Sequence, residues 1–261
     1  MLIATWNING VKARIDALLA WLEAASPDIA CLQEIKSVDE TFPRAAIEAL
    51  GYHVETHGQK GFNGVALLSK LKPASILRGL PGDETDEQSR YIEGLWVLGE
   101  RRLRVASIYL PNGNPLGTEK FPYKLAWMDR LIAHAESLLE EEDDLVLAGD
   151  YNVIPMPIDV ANPQAWLGDA LFQPESRAAL RRLVNLGLAD AVRLTADECR
   201  IYTFWDYQAG AWQKNNGIRI DHLLVSPEVQ DRLVSVAIDK HVRGWEKPSD
   251  HVPVMIQLAG R

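Results

Sequence analysis

Two cysteines in 261 residues, Cys31 and Cys199, are too few for a disulfide framework. They are expected to be buried thiols in a reducing cytoplasm. No apolar stretch reaches the roughly 18–20 residues that a membrane span needs. Met1-Leu2-Ile3-Ala4-Thr5-Trp6-Asn7 has no basic n-region or small-residue cleavage site, so it reads as a strand rather than a signal peptide. Basic residues are also in deficit, with 27 Lys and Arg against 36 Asp and Glu and a net charge of −9. That balance excludes a protein that coats nucleic acid through bulk electrostatics, but it leaves room for a local basic rim. GxxxxGK[ST], GxGxxG, GxSxG and HExxH are all missing. Neither the cysteines nor the histidine spacing forms a zinc motif.

What is present is ordinary globular material, 47% hydrophobic and 24% charged, enough for a sizeable core. No linker, repeat or low-complexity tract breaks it, so 1–261 is read as one catalytic domain. Runs rich in Val, Ile, Leu and Tyr predict strands near 2–7, 28–33, 52–57, 64–69, 74–79, 91–98, 103–110, 144–149, 200–204, 218–225, 233–239 and 252–258. Helices are predicted near 12–24, 121–141 and 176–186; in the second, Trp127, Met128, Leu131, Ile132, Ala135, Leu138 and Leu139 form one stripe. This is too strand-rich for a doubly wound sheet. It suits an α/β arrangement of two packed sheets flanked by helices. Gly58 to Gly64 reads as a hairpin turn.

The informative residues stand where strands end. Asn7 closes the first run and Gln33-Glu34 the second; Asp150 and Asn152 follow Leu145-Val-Leu-Ala-Gly149. Asp221 precedes Leu223-Leu224-Val225, and Asp250-His251 opens the last run. A carboxylate abutting an apolar strand loses hydration, at a cost of several kcal/mol unless partners replace the water. If the strands are neighbours, these side chains meet in one pocket and repel unless a cation or protons intervene. An oxygen-rich set suits a hard cation, Mg²⁺ or Mn²⁺. Such a site meets the needs of phosphodiester hydrolysis, in which water must lose a proton and the phosphoryl oxygens gain charge. Each residue has a plainer reading too: Tyr109 as a strand aromatic, Asp221 as the ion-pair partner of Arg219, His251 as a satisfied core histidine.

Together the motifs Thr5-Trp-Asn-Ile-Asn-Gly-Val11, Leu32-Gln-Glu-Ile-Lys36, Asn63-Gly-Val, Tyr109-Leu-Pro-Asn112, Gly149-Asp-Tyr-Asn152, Tyr202-Thr-Phe-Trp-Asp-Tyr207, Arg219-Ile-Asp-His-Leu-Leu224 and Pro248-Ser-Asp-His-Val252 resemble the exonuclease III family of the endonuclease/exonuclease/phosphatase superfamily. The resemblance runs along essentially the whole chain and implies a four-layer α/β sandwich. It makes Asn7, Glu34 and Asp250 metal-site residues, with Asp150, Asn152 and His251 able to join them. It makes Asp150 the group that activates water, Asn152 the one that orients it, and His251 a donor to phosphate, held by Asp221. Tyr109 and Asn112 become phosphate contacts.

The same core serves sphingomyelinases, inositol polyphosphate phosphatases and secreted nucleases, so the surroundings must choose the substrate. The Phe204-Trp205 segment resembles the DNA-repair branch, where an aromatic at the position of Phe204 lines a pocket for a flipped-out baseless sugar. Trp205, Ile218 and Ile220 are expected beside it, although animal members tend to carry Trp where this chain has Ile218. Lys36 and Arg90 are candidate backbone contacts. The resemblance therefore implies a monomeric, cytoplasmic, Mg²⁺-dependent nuclease acting on double-stranded DNA at abasic sites and 3′ ends, with no membrane partner. Two alternatives are a phosphoinositide or sphingolipid phosphodiesterase and a non-catalytic DNA-binding protein on the same fold.

Overall fold

A computed structural model describes residues 1–195 and 198–260. Its first sheet contains β1 (Leu2–Asn7), β2 (Ile29–Gln33), β3 (His53–His57) and β4 (Val65–Ser69). The second contains β5 (Ser75–Arg78), β6 (Tyr91–Leu98), β7 (Arg101–Tyr109), β8 (Asp144–Asp150), β9 (Ala189–Asp190) and β10 (Asp221–Val225). β11 (Leu233–Ile238) and β12 (Val254–Leu258) return to the first, giving orders β11-β12-β1-β2-β4-β3 and β5-β6-β7-β8-β10-β9. The helices are α1 (Ile15–Ala25), α2 (Arg44–Glu48), α3 (Lys120–Leu139), α4 (Pro174–Val184), α5 (Ala191–Thr195) and α6 (Pro227–Gln230). Each sheet has one parallel pair at its centre, β1 with β2 and β7 with β8, and antiparallel neighbours outside it.

Period-two alternation sorts the central strands into layers. From β1, Ile3 enters the core between the sheets, while Ala4 and Trp6 face Leu18, Trp21 and Leu22 of α1. From β8, Val146 and Ala148 enter the same central core, while Leu145 and Leu147 meet Trp127, Met128, Leu131 and Leu180 of α3 and α4. Strands covered on both faces need apolar residues at both parities, which is why these runs read as continuously hydrophobic. The order is helix, sheet, sheet, helix, the four-layer α/β sandwich expected. Truncating a stripe residue such as Leu131 to Ala would cost about 2–5 kcal/mol.

Three sequence expectations are corrected. Residues 200–204 form no strand; Phe204 makes only isolated bridges to Ile218 and His251. Ile218 and Ile220 precede β10 rather than belonging to it, because residues 218–220 meet Phe204, Asp159 and Tyr151 in separate backbone bonds instead of a ladder. Cys31 is buried, but Cys199 is exposed. The helix predicted from 12 begins with a tighter 3₁₀ turn over Val11–Arg14 before α1. The one predicted from 176 starts at Pro174, whose fixed φ and missing N–H suit a first helical position.

Candidate active site

The site lies at the open end of the sandwich, where the inward-facing rows run one step beyond the central core. Val105, Val146 and Leu223 belong to that core, and the same parity carried forward gives Tyr109, Asp150 and Asp221. These three stand side by side, because Asp150 pairs with Tyr109 on one side and Asp221 on the other. In the first sheet the same step from Ile3 and Thr5 gives Asn7. Below them is a polar floor: Gln33 Nε2 donates to Ser107 Oγ at 2.9 Å and Thr5 Oγ1 at 3.0 Å. Ser107 Oγ in turn donates to the carbonyl of Leu32. The floor's side chains are thereby paired, Gln33 with Thr5 inside the first sheet and with Ser107 across to the second.

Several site side chains depend on unusual backbone. Glu34 (φ 48°), Lys36 (φ 51°) and Asn152 (φ 47°) are left-handed, a conformation that strains non-glycine residues and that surrounding contacts must hold. Gly149 has no alternative residue: a Cβ there would sit 2.0 Å from the carbonyl oxygen of Ile108 on β7. That close approach sets Asp150 at the strand end.

The buried Asn7 amide nitrogen donates to Glu34 Oε1 at 2.8 Å and Asp150 Oδ2 at 2.9 Å, while its oxygen accepts from the Asn9 N–H. Asn7 therefore presents a donor to the carboxylates and spaces them. The Nδ1 of His251 lies 2.9 Å from Asp221 Oδ2, and its Nε2 lies 3.7 Å from Asp150 Oδ2. Phe204 packs edge-on against the imidazole, ring centres 4.9 Å apart. The backbone N–H of Asn152 donates to Asp150 Oδ1, and its amide nitrogen donates to the carbonyl of Leu110. Asn112 Nδ2 reaches Asn152 Oδ1 at 3.2 Å. Arg90 lies over the Tyr109 ring, 4.8 Å from the centroid. Ligand atoms of Glu34, Asp150 and His251 all lie within 4.8 Å of one another, a spacing that one cation can span. Two carboxylates and an imidazole favour Mg²⁺ or Mn²⁺ over softer ions only if oxygen from substrate and solvent completes the set.

Electrostatics sort these groups. Burial raises the Asp150 carboxyl well above the usual range, and Asp221 adds to this while His251 opposes it. Burial alone would depress His251, but Asp221, Asp150 and Asp250 outweigh it and hold the imidazole protonated beyond its ordinary range. Burial also pushes Glu34 upward; Lys36, the Asn7 amide and His251 reverse that and keep the carboxyl low. Burial, Glu34 and Asp150 raise the Tyr109 phenol, which stays an O–H donor.

Other expected residues fall around this centre. Asp250 is one step away, accepting from Asn9 Nδ2 at 3.0 Å. Lys36 forms an ion pair with Glu34 at 2.9 Å and donates to Asn9. Phe204, Ile218 and Ile220 share a small apolar cluster with Ile154, Val160, Leu171 and Phe172. Trp205 does not share it. Its indole is fully buried in the core under α1, donating to Asn215 Oδ1, so it backs the segment instead of lining a pocket. Asp221 serves His251 and not Arg219, which pairs with Asp159 and Asp190 at 2.7 Å each.

Sequence reasoning missed Lys124, which is fully buried. Its Nζ donates to the carbonyls of Asn112 at 3.1 Å and Asn152 at 2.5 Å. Burial lowers the amine to about 7, against the pull of Asp150 and Asp169. The signal was available: 124, 127, 128 and 131 have the i, i+3, i+4, i+7 spacing of one helical stripe.

Comparison with known proteins agrees with this geometry. Residues 4–251 match the Endonuclease/Exonuclease/phosphatase family. The chain is 40% identical to exodeoxyribonuclease III of Haemophilus influenzae, over 99% of this chain and 100% of that one. It is 31% identical to the DNA repair nuclease APEX1 of Danio rerio, over 99% of this chain and 82% of that one. Among solved structures, the 3′ phosphatase NExo from Neisseria bound to a product DNA hairpin superposes with a TM-score of 0.94 at 35% identity, covering 100% of both chains. An AP endonuclease from Archaeoglobus fulgidus gives 0.92 at 35%, covering 99% of each.

Proposed function

This chain belongs to the endonuclease/exonuclease/phosphatase family, and from that premise we propose how its site works and on what. It is a DNA-repair nuclease, a hydrolase of the exodeoxyribonuclease III type. Its reaction is hydrolysis of the phosphodiester 5′ to an abasic sugar in duplex DNA, with 3′-exonuclease and 3′-end cleaning at the same centre. Residues 1–261 act as one monomeric catalytic domain in the cytoplasm. The observation that carries the reading is the buried row Asp150, His251 and Asp221, with Glu34 held across the sandwich mouth by Asn7.

The residues divide the labour as follows. Asp221 accepts from Nδ1 of His251, which fixes the ring and leaves Nε2–H to donate to a non-bridging phosphoryl oxygen. Asp150, made more basic by burial, takes a proton as water oxygen bonds to phosphorus. The bond from phosphorus to O3′ breaks in line, and the departing O3′ takes a proton from solvent, leaving a 3′-hydroxyl and a 5′-deoxyribose phosphate. Asn152 orients the water, and Asn112 and the Tyr109 O–H contact the phosphate. Glu34, with Asp150 and the neighbouring Asp250, would hold Mg²⁺, for which Mn²⁺ can substitute; His251, both ring nitrogens carrying protons, stands beside the cation as a donor. The cation supplies charge neutralisation at the phosphate. Phe204, backed by the buried Ile218 and Ile220, offers an apolar wall that admits a sugar without a base. Lys36 and Arg90 lie at the rim for backbone phosphates, so cutting is largely independent of sequence and weakened by salt.

The test uses a labelled duplex carrying one stable abasic analogue, incubated with Mg²⁺ or with EDTA. A single cut on the 5′ side of the lesion, abolished by EDTA, is the expected result. An intact duplex, with phosphate released from an inositol lipid or sphingomyelin cleaved, would move the same core to a lipid substrate. Binding to the duplex without cleavage of either would leave a DNA-binding protein.

A further inference from the structure

We infer that Lys124 is a positioning residue for this reaction: its Nζ ties the carbonyls of Asn112 and Asn152 together, holding the two side-chain amides that face the phosphate. The inference rests on the reading of the site given above. Asn112 and Asn152 stand on separate loops, one after β7 and one after β8, and each loop is free of the sheet at that point. Among the described residues neither carbonyl accepts a backbone hydrogen bond, so Lys124 is the partner both share. Asn152 is left-handed, a strained conformation that persists only where surrounding contacts hold it. With its oxygen fastened, its amide nitrogen reaches Leu110 and its Oδ1 receives Asn112. Gly113 packs against the lysine stem so closely that a Cβ there would meet Cδ at 2.7 Å.

Stability alone does not account for this lysine. It occupies the apolar stripe of α3, beside Trp127, Met128 and Leu131, where Leu or Met would bury without desolvating an amine. A buried amine whose hydrogen bonds both end on loops of the site is the kind of local exception expected where function overrides packing. Lys124 is sealed from solvent. It acts through the two asparagines.

Lys124→Met keeps the stem and removes the donors. On the abasic duplex kcat is expected to fall about 10- to 100-fold, as for other residues that orient primary ligands, with KM changing less than about threefold. Hydrogen exchange in the metal-free protein should quicken at residues 111–114 and 151–154 and stay as in wild type along α3 itself. In a background carrying both Asn112→Ala and Asn152→Ala the same substitution should reduce single-turnover cutting by less than about threefold, because both routes are already gone. A full, independent loss in that background, or unchanged kcat per folded molecule, would overturn the inference. Should Lys124→Met not fold, Lys124→Gln carries the test. It keeps a polar group but is too short to reach both carbonyls, so normal kcat in that variant also overturns it. The two readings fail separately: a wild-type protein that cuts no DNA sinks the substrate, while the exchange pattern still judges the lysine.

Discussion

Two histidines, His222 and His251, are equally hidden from solvent, yet their surroundings push them in opposite directions. Both ring nitrogens of His251 face carboxylates, Asp221 at Nδ1 and Asp150 at Nε2, so a second ring proton is welcome. His222 has the reverse arrangement. Its Nε2 lies 3.0 Å from the carbonyl of Val153, and its Nδ1 lies 3.0 Å from the guanidinium of Arg219. A proton on Nδ1 would confront a cation, so burial and Arg219 together lower its affinity for protons. The two environments are separated by one residue of β10. Alternation sends Asp221 inward to the site and His222 outward against Tyr151, ring centres 5.4 Å apart. Burial removes water from both rings; the partners decide which ring carries charge.

The strongest way to break the inward network is to remove the base or the donor. Asp150→Asn or His251→Ala is expected to lower kcat on abasic DNA by roughly 10³-fold, within the range for a lost general acid or base. Single-turnover cutting measures it, and a loss under tenfold in both would remove these residues from the chemistry. Asp221→Asn should cost less, about 10- to 100-fold, because the ring and its donor remain but lose their anchor. It has a second signature. Asp221 is the largest influence raising His251, so without it the imidazolium loses its proton at lower pH, and the alkaline limb of the kcat profile moves down. An unshifted limb would mean that some other group titrates there.

The sequence made the inward network easier to see than the outward one, for a physical reason. Polar residues continuing an apolar row past the core stand out against it, as Asn7, Asp150 and Asp221 do, and the row predicts that they converge. The Arg219–Asp159–Asp190 network has no such row; its members come from a short 3₁₀ helix, a two-residue strand and the approach to β10, and only the fold unites them. Trp205 was misread because an aromatic beside Phe204 looks like its companion, while the chain turns it inward. Residues 200–204 had strand composition but no ladder partner, something composition cannot reveal. Lys124 was visible as a cation on an apolar stripe, although its purpose needed the two loop carbonyls.

The outward histidine gives the smallest and most selective effect. His222 has its folded pKa below the ordinary 6.5, so as pH falls the unfolded chain takes up this proton before the folded protein does. The unfolded state then binds more protons, and stability drops as pH falls through 6.5, by at most about 1.4 kcal/mol per pH unit for one group. His251 behaves oppositely: its folded pKa is raised, so its stabilisation is fully present below 6.5 and is lost progressively as pH rises from there through about 10. His222→Gln can still donate to the carbonyl of Val153 and cannot titrate. Chemical unfolding at pH 7.5 and pH 5.5 should therefore show a smaller acid loss in the variant than in wild type, with cutting at pH 7.5 within about twofold. Other acidic and basic groups titrate alike in the two proteins and drop out of the difference. Parallel stability curves would show that the Arg219 guanidinium does not keep His222 neutral, and the contrast between the two rings would then come from the carboxylates around His251 alone.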